Sequence, residues 1–247
     1  MRPRKRFGQH FLHDPGLLKR IVEVIDPAAD DVVVEIGPGE GALTRPLLER
    51  LQHLYVIEID RDLAARLTGS SEKLDVRCID VLKTDFSSYP AGLRVVGNLP
   101  YNISTPILFH LAQYADRVRD MHFMLQREVV ERMVARPSTP DYGRLSVMLQ
   151  TRFEMTKLFN VSSGAFRPPP KVESAVVRLV PLKEKPGCDP DVLERIVREA
   201  FSARRKTLRN ALGLSPEDFL ALRIDPQLRP ENLSPADYVR ISARVSQ

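Results

Sequence analysis

Cysteine is scarce in this chain of 247 residues, and long apolar runs are missing from it. Cys78 and Cys188 are too few for a disulfide framework and lack metal-ligand spacing, which predicts free thiols in a reducing compartment and no metal site. No apolar run approaches the roughly 20 residues that a membrane-spanning helix needs. Polar residues follow the N-terminus at once, so no signal peptide is expected. These absences predict a cytoplasmic protein with no membrane contact.

Positive charge is concentrated in two short segments of a chain whose formal net charge is +5. Residues 1–13 and residues 200–216 each contain basic residues and no acid, so the rest of the chain is net acidic. The basic residues of the second segment are Arg204, Arg205, Lys206 and Arg209. Such clustering predicts binding to a polyanion, with a solvated basic surface as the alternative.

Short apolar runs alternate with helical periodicity from residue 14 to about residue 135. The predicted strands are residues 31–37, 54–60, 73–80, 93–98 and 121–126. Strands that are apolar throughout and separated by helices are typical of a parallel sheet covered on both faces, which predicts an α/β fold. Two further strands, at 154–161 and 171–180, have no helix between them, so we expect an antiparallel pair at the sheet edge.

The sequence changes at Pro181, because residues 181–190 contain three prolines and one glycine, which predicts a linker. Every later segment is helical in pattern, over residues 190–201, 203–212, 216–222 and 235–245. We therefore expect two domains, at 1–181 and 182–247, the second one small and all-helical. A helix over 203–212 would place Arg205 and Arg209 on one face.

Three glycines, Gly37, Gly39 and Gly41, lie between a predicted strand and a predicted helix. Glycines there let the backbone turn tightly and bring a ligand to the helix N-terminus. Glu58 follows about 20 residues later, where an acid can bind ribose hydroxyls. The pattern predicts a nucleoside-containing ligand, with a structural turn as the alternative. Glu35 favours S-adenosylmethionine over NAD, because an acid suits a sulfonium and an ammonium better than a pyrophosphate.

Polar and aromatic residues also follow the third and fourth predicted strands. Asp80 can bind an adenine amino group or simply begin a short helix. After the next strand, Asn98 and a backbone carbonyl of Leu99 or Pro100 can accept hydrogen bonds from an adenine N6 amino group and stabilise the charge that grows there. Pro100 stiffens the segment, and the Tyr101 ring can stack on the base. This segment predicts methyl transfer to adenine N6, with a strand-ending turn as the alternative.

Eight blocks of the sequence resemble the small-subunit ribosomal RNA adenine N6,N6-dimethyltransferases, the family linked to kasugamycin sensitivity and related to the erythromycin-resistance methylases. In the family's order they are KRFGQHFL, EIGPGEGALT, VIEIDRDL, GNLPYNIST, FMLQREVVERM, YGRLSV, AFRPPPKVESAVVRL and FSARRKTLRNAL. The resemblance implies a Rossmann-like methyltransferase sheet, S-adenosylmethionine as cofactor, and a role in subunit biogenesis. Its implied targets are two adjacent adenines in a 3′-terminal hairpin loop of small-subunit rRNA. We expect a monomer.

The resemblance also implies roles for particular residues. Those implied at the cofactor are Gln9, His10, Leu12, Glu35, Gly37, Gly39, Glu58, Asp80, Val81 and Asn98. At the target base it implies Phe166 beside Tyr101, although packing is the alternative for Phe166. His10 stands where asparagine is common in the family.

Three other functions remain open from the sequence. One is a ribosome-assembly factor whose binding matters more than its methylation. A large-subunit adenine methylase would share the Asn98–Tyr101 segment, but the block FSARRKTLRNAL and the helical tail argue against it. An NAD-dependent dehydrogenase would leave that segment without a role.

Overall fold

The computed structural model describes residues 10–246 and divides them into two compact units. The first unit ends at Val130 and resumes over Met155–Pro181; the second comprises Glu131–Glu154 and the residues from Leu182 onward. The division expected from the sequence, 1–181 and 182–247, stays a prediction. The two divisions differ over Glu131–Glu154, which belongs to the second unit because Tyr142 and Val147 pack in that unit's core.

A seven-stranded sheet and a two-stranded sheet organise the first unit. The strands are β1 (Phe11–Leu12), β2 (Val33–Ile36), β3 (Leu54–Ile57), β4 (Leu74–Arg77), β5 (Leu93–Asn98), β6 (Val118–Gln126), β7 (Phe153–Val161), β8 (Phe166–Arg167) and β9 (Ser174–Pro181). The large sheet has the order β4-β3-β2-β5-β6-β9-β7. Its pairs from β4 to β6 are parallel, and β9 runs antiparallel to β6. This confirms the mostly parallel α/β sheet with an antiparallel edge.

Strand β1 pairs antiparallel with β8. The helices that connect the strands are α1 (Pro15–Ile25), α2 (Thr44–Leu48), α3 (Arg61–Leu67), α4 (Ser104–Ala112) and α5 (Arg127–Val134). All four residues of β2 are buried, including Glu35. Such burial requires apolar layers on both faces of the sheet, as the continuous apolar runs predict.

The second unit contains helices packed around one apolar core. They are α6 (Arg144–Gln150), α7 (Pro190–Ser202), α8 (Leu208–Ala211), α9 (Pro216–Leu222) and α10 (Pro235–Val245). Tyr142 and Tyr238 are fully buried in this core, and their hydroxyls donate to the carbonyls of Leu233 and Pro230 at 2.9 Å. The predicted helical character of this region is confirmed.

One helix prediction in the second unit is wrong. The expected helix over 203–212 is a turn followed by the four-residue helix α8. Thr207, between them, is extended, with ψ of 159°. The backbone N–H of Leu208 donates to the Leu228 carbonyl at 2.7 Å instead of continuing a helical ladder. Arg205 and Arg209 therefore do not share the face of one helix.

Candidate active site

A cavity of about 280 Å³ lies in the first unit, where the carboxyl ends of β2, β3 and β5 meet. The sequence-predicted residues that line it are His10, Leu12, Glu35, Gly37, Gly39, Glu58, Asp80, Asn98, Leu99, Pro100 and Tyr101. Ligands of open α/β sheets bind at this edge, outside the carboxyl ends of the strands. The fold therefore brings together the glycine segment and the Asn98–Tyr101 segment, which the sequence separates by more than 50 residues.

The glycine segment takes a backbone course that other residues rarely adopt. Gly37, Gly39 and Gly41 have φ values of +66°, +58° and +79°. A β-carbon at Gly39 would also lie 3.1 Å from the Phe11 ring. These glycines leave the cavity wall as bare backbone, which lets a ligand approach it closely.

Gly97 has a different steric reason. A β-carbon there would lie 2.4 Å from the carbonyl oxygen of Ile36, on the neighbouring strand β2. Only glycine lets β5 run this close to the end of β2. Gly97 therefore brings Asn98 next to the glycine segment.

The charged groups that line the cavity are nearly all acidic. Its carboxylates belong to Glu35, Glu40, Glu58 and Asp80, and no lysine or arginine is among its described lining residues. Four acids without such a cation favour a positively charged ligand over a pyrophosphate. This is the charge that an ammonium and a sulfonium would supply.

Glu35 is the most deeply buried of these acids, at 2% exposure. Its Oε2 accepts a 2.7 Å hydrogen bond from the Thr44 hydroxyl, the first residue of α2. Burial raises the pKa of Glu35 to about 7, and the nearby charge of Glu58 acts in the same direction. Since one hydroxyl compensates little of the desolvation cost, ionised Glu35 would gain from a cationic ligand.

Glu58 and Asp80 each use a carboxylate to shape the backbone around the cavity. Glu58 accepts from the N–H of Asp60 at 2.9 Å and from that of Gly39 at 3.2 Å. Burial raises the pKa of Glu58. Asp80 accepts from the N–H of Leu82 at 3.0 Å and begins a short 3₁₀ helix. Asp80 is thus both a helix cap and a cavity residue, so the two interpretations of it are compatible.

Asn98 is oriented by a contact from the N-terminal strand region. Its Nδ2 donates to the backbone carbonyl of His10 at 3.0 Å. This bond fixes the two ends of the amide, because only the nitrogen can donate to a carbonyl. No described residue donates to the Oδ1 of Asn98. The cavity therefore contains an oriented acceptor at the end of β5.

Tyr101 lies beside Asn98 with its ring stacked on His10. Its hydroxyl forms a 2.6 Å hydrogen bond with Ser174, at the start of β9. Burial raises the pKa of Tyr101, so the phenol stays protonated at neutral pH. An aromatic ring and an oriented amide thus lie in one cavity.

Two of the described sequence-predicted residues, Val81 and Phe166, do not line the cavity. Val81 is buried and the neighbouring Leu82 lines the cavity instead. Phe166 is 1% exposed and packs in the core of the first unit with Leu12, so it does not present a ring to the cavity. Gln9 lies outside the described residues, as do the basic residues before it.

The predicted basic residues of the second unit differ among themselves. Arg204 is partly buried: its Nε donates to Glu231 at 2.6 Å and its NH2 group to the Pro140 carbonyl at 3.0 Å. Arg205, Lys206 and Arg209 are exposed. Arg204 therefore has a structural role in this unit, whereas the other three side chains are available to a partner.

Two contributors to the site were not predicted from the sequence. Thr44 follows Glu35 by nine residues, at the start of α2, so the short strand–turn–helix connection makes their contact predictable. Ser174 is 73 residues from Tyr101 and carries no local signal of this contact.

No group of His, Cys, Asp or Glu side chains suited to a metal ion occurs among the described residues. Nor does that part of the chain contain a helix long and apolar enough to cross a membrane.

Comparison with known proteins gives consistent matches. Residues 1–247 match the family model described as ribosomal RNA adenine dimethylase. The ribosomal RNA small subunit methyltransferase A of Thiobacillus denitrificans is 61% identical, over 99% of this chain and 98% of the relative. The protein of the same name from Chromobacterium violaceum is 58% identical, over 97% and 94%.

Two solved structures resemble nearly the whole chain. A dimethyladenosine transferase from Plasmodium falciparum has a TM-score of 0.83 at 27% identity, covering 94% of this chain and 96% of the other. The 23S rRNA methyltransferase ErmE has a TM-score of 0.71 at 27% identity, covering 96% and 100%.

Proposed function

We propose a substrate and a mechanism from one premise: the chain belongs to the ribosomal RNA adenine dimethylase family. It is an enzyme that transfers methyl groups from S-adenosylmethionine to adenine N6 in ribosomal RNA. Its rRNA is that of the small subunit, as in the names of relatives at 58% and 61% identity. We further assign the reaction to two adjacent adenines of a 3′-terminal hairpin loop, in step with subunit biogenesis.

A large-subunit target is not favoured. The structural relative that acts on 23S rRNA shares 27% of its residues with this chain, against 61% for the small-subunit relative. The chemistry at adenine is the same in either case, so the choice of subunit must come from RNA recognition outside the cavity.

The cavity residues fit S-adenosylmethionine, which supplies an electrophilic methyl group on a positively charged sulfur when it is bound. We assign Glu35 to its cationic part, because that buried carboxylate has a hydroxyl but no lysine or arginine beside it. Glu58 would accept from the ribose hydroxyls and Asp80 from the adenine amino group. The glycine segment would leave room for the methionine and the ribose.

Asn98 and a backbone carbonyl are assigned to the target amino group. The Oδ1 of Asn98 points away from its bond to His10 and accepts one N6 hydrogen. The Pro100 carbonyl already accepts from the N–H of Ile103 at 3.2 Å, which favours the Leu99 carbonyl as the second acceptor. Two acceptors hold N6 in line with the methyl group and stabilise its developing positive charge. The proton can leave after the bond forms, so no strong base is required.

Tyr101 is assigned to the target base itself. Base–aromatic stacking contributes about 1–3 kcal/mol per base and would hold the adenine plane while N6 reacts. The adenine must be unpaired or flipped out, because N6 is engaged in a duplex. This requirement favours a hairpin loop over a helix stem.

The second unit is proposed to bind the RNA backbone. Arg205, Lys206 and Arg209 are exposed and carry positive charge without a nearby acid in sequence. Phosphate contacts of this kind position an enzyme on RNA and weaken as salt rises. We also propose that the enzyme works as a monomer in the cytoplasm, which light scattering and cell fractionation would test.

The observation that carries the proposal is that Asn98 and Tyr101 line the same cavity as the four acidic residues. The test is methyl transfer from labelled S-adenosylmethionine to small subunits lacking adenine methylation, beside free rRNA and large subunits. Label recovered as N6,N6-dimethyladenine from small subunits alone supports the proposal. Label confined to large subunits would contradict the assigned substrate; unlabelled subunits that still bind the protein would favour an assembly factor.

A further inference from the structure

Tyr101 is held from two sides by residues outside the segment Asn98–Tyr101. Its hydroxyl oxygen lies 2.6 Å from the Oγ of Ser174. Its ring stacks on the imidazole of His10, with centroids 5.6 Å apart and 26° between the planes. A ring fixed both at its tip and on one face keeps few of its rotamers.

Ser174 ties the Tyr101 hydroxyl to the sheet. It is the first residue of β9, is fully buried, and lies opposite Gln126 in the antiparallel pairing with β6. The partner of the phenol is therefore set by the backbone of the large sheet, and its hydroxyl is shielded from water. A buried hydrogen bond of this kind loses little to competition with solvent.

His10 joins the stacking ring to the acceptor amide. Its Nδ1 lies 2.8 Å from the Pro168 carbonyl, so that nitrogen carries the hydrogen. Its own backbone carbonyl accepts from the Nδ2 of Asn98 at 3.0 Å. One residue thus contacts Tyr101 through its ring and Asn98 through its backbone.

From these contacts we infer that Ser174 and His10 are positioning residues for methyl transfer, and that the target adenine stacks on the Tyr101 face opposite His10. The inference rests on the function proposed above for Tyr101. His10 covers part of one ring face, which leaves the other face for the base. Phe166, at 1% exposure, does not supply that second ring in this structure.

The contact with Ser174 is tested first by NMR on protein with ¹³C-labelled tyrosine rings. Tyr101→Phe identifies the Tyr101 signals by their loss. Ser174→Ala is expected to shift the Tyr101 ζ-carbon, which carries the hydroxyl, while the other tyrosines stay in place. An unchanged ζ-carbon would overturn the inference, because the hydroxyl would then have no partner to lose.

Kinetics then separate positioning from folding. Ser174→Ala should lower kcat/KM for small subunits roughly tenfold, as expected for losing one buried hydrogen bond, with S-adenosylmethionine affinity within about twofold. The double variant with Tyr101→Phe should be no slower than either single variant, since both remove the same bond. Multiplicative losses would overturn the inference. Tyr101→Phe leaves Ser174 in place, so it reports even where Ser174→Ala folds poorly.

His10 is tested by separating its ring from its hydrogen bond. His10→Phe keeps a ring against Tyr101 and should lose less of kcat/KM than His10→Ala, which should lose roughly tenfold. Cofactor affinity is measured in both variants. A loss in His10→Ala that lies wholly in S-adenosylmethionine affinity would overturn the positioning role.

Tyr101→Ala distinguishes failure of this inference from failure of the proposed function. If it abolishes methylation while the Ser174 and His10 variants act like the unchanged enzyme, the stacking role of Tyr101 holds. The positioning roles of Ser174 and His10 are then wrong. If Tyr101→Ala also methylates normally, the function assigned to the ring is wrong, and the inference falls with it.

Discussion

Two buried carboxylates of the large sheet differ in whether a cation of the protein pairs with them. Asp120 on β6 is 3% exposed, and its two oxygens accept from the guanidinium of Arg94 at 2.8 and 2.9 Å. Glu35 on β2 is 2% exposed, yet its described partner is the hydroxyl of Thr44. The nearby His122 adds no charge, because burial lowers its pKa to about 4.

The difference shows which carboxylate belongs to the fold and which to the ligand. The Arg94–Asp120 pair also engages Asp31 and backbone carbonyls, so its charges are compensated within the protein. Glu35 lines the cavity, and a cation from outside the chain would complete it. A buried acid without an internal cation thus indicates the charge of the molecule that the site binds.

The largest effect is expected from breaking the compensated pair. Arg94→Met removes the cation that is hydrogen-bonded to buried Asp120 and leaves the half-exposed Arg178 at 3.6 Å, which should lower the free energy of unfolding by about 3–5 kcal/mol. Urea unfolding measures this loss. The matched control is Arg119→Met, which removes an exposed arginine that also pairs with Asp31 and should cost at most about 1 kcal/mol. Equal losses in the two variants would contradict the distinction between these pairs.

At the other end of β5, Asn98→Ala should act on the reaction and leave the fold intact. Removing one oriented acceptor is expected to slow methylation by roughly 10²–10³-fold, by analogy with losing an oxyanion-hole donor. Single-turnover rates with small subunits measure this effect. Cofactor affinity, measured in parallel, should change less; a loss confined to cofactor affinity would assign Asn98 mainly to binding.

Glu35→Gln should make the protein without cofactor more stable at high pH. The pKa of Glu35 is raised from 4.5 to about 7, so its stabilising contribution is complete below pH 4.5 and is lost as pH rises through 7. Above that range the variant should be more stable by up to about 3 kcal/mol. Thermal and urea unfolding between pH 4.5 and 8 test this. Glu40→Gln, at an exposed cavity position, should show no such gain.

The smallest effect is expected at the exposed arginines of the second unit. Arg205→Glu should weaken rRNA binding and lower the slope of log affinity against log salt by about 1. Arg66→Glu makes the same charge change on the exposed face of α3 and should leave the slope unchanged. Filter binding across a salt series measures both variants. If Arg205→Glu and Arg66→Glu have the same slope, Arg205 does not contact RNA phosphates and serves only solubility.

The sequence predicted what local patterns determine. The apolar strands, the glycine turn and the Asn98–Tyr101 segment depend on neighbours in the chain and on the shared edge of a parallel sheet. The structure places these segments at one cavity, and the individual roles of their residues stay predictions. Glu35 was identified from its place before the glycines, although its deep burial was not.

The sequence did not predict contacts between segments that are far apart in the chain. The wrong helix over 203–212 reflects Leu208, whose backbone pairs with Leu228, and Arg204, which pairs with Glu231. The sequence did not distinguish Phe166 from an exposed ring. In the structure β8 pairs with β1 and Phe166 is buried. Ser174 was missed because its contact is to Tyr101, far along the chain.

Within the described part of the chain, buried Glu35 lacks a cationic partner, which a ligand would supply. The most direct test is calorimetry of S-adenosylmethionine binding at several pH values, in buffers of different ionisation enthalpy. A bound cation should lower the pKa of Glu35, so binding should release a proton near pH 6 and grow tighter toward pH 8. Glu35→Gln should bind more weakly at pH 8 and release no proton from this position. Affinity that is independent of pH, with no release in either protein, would contradict the account.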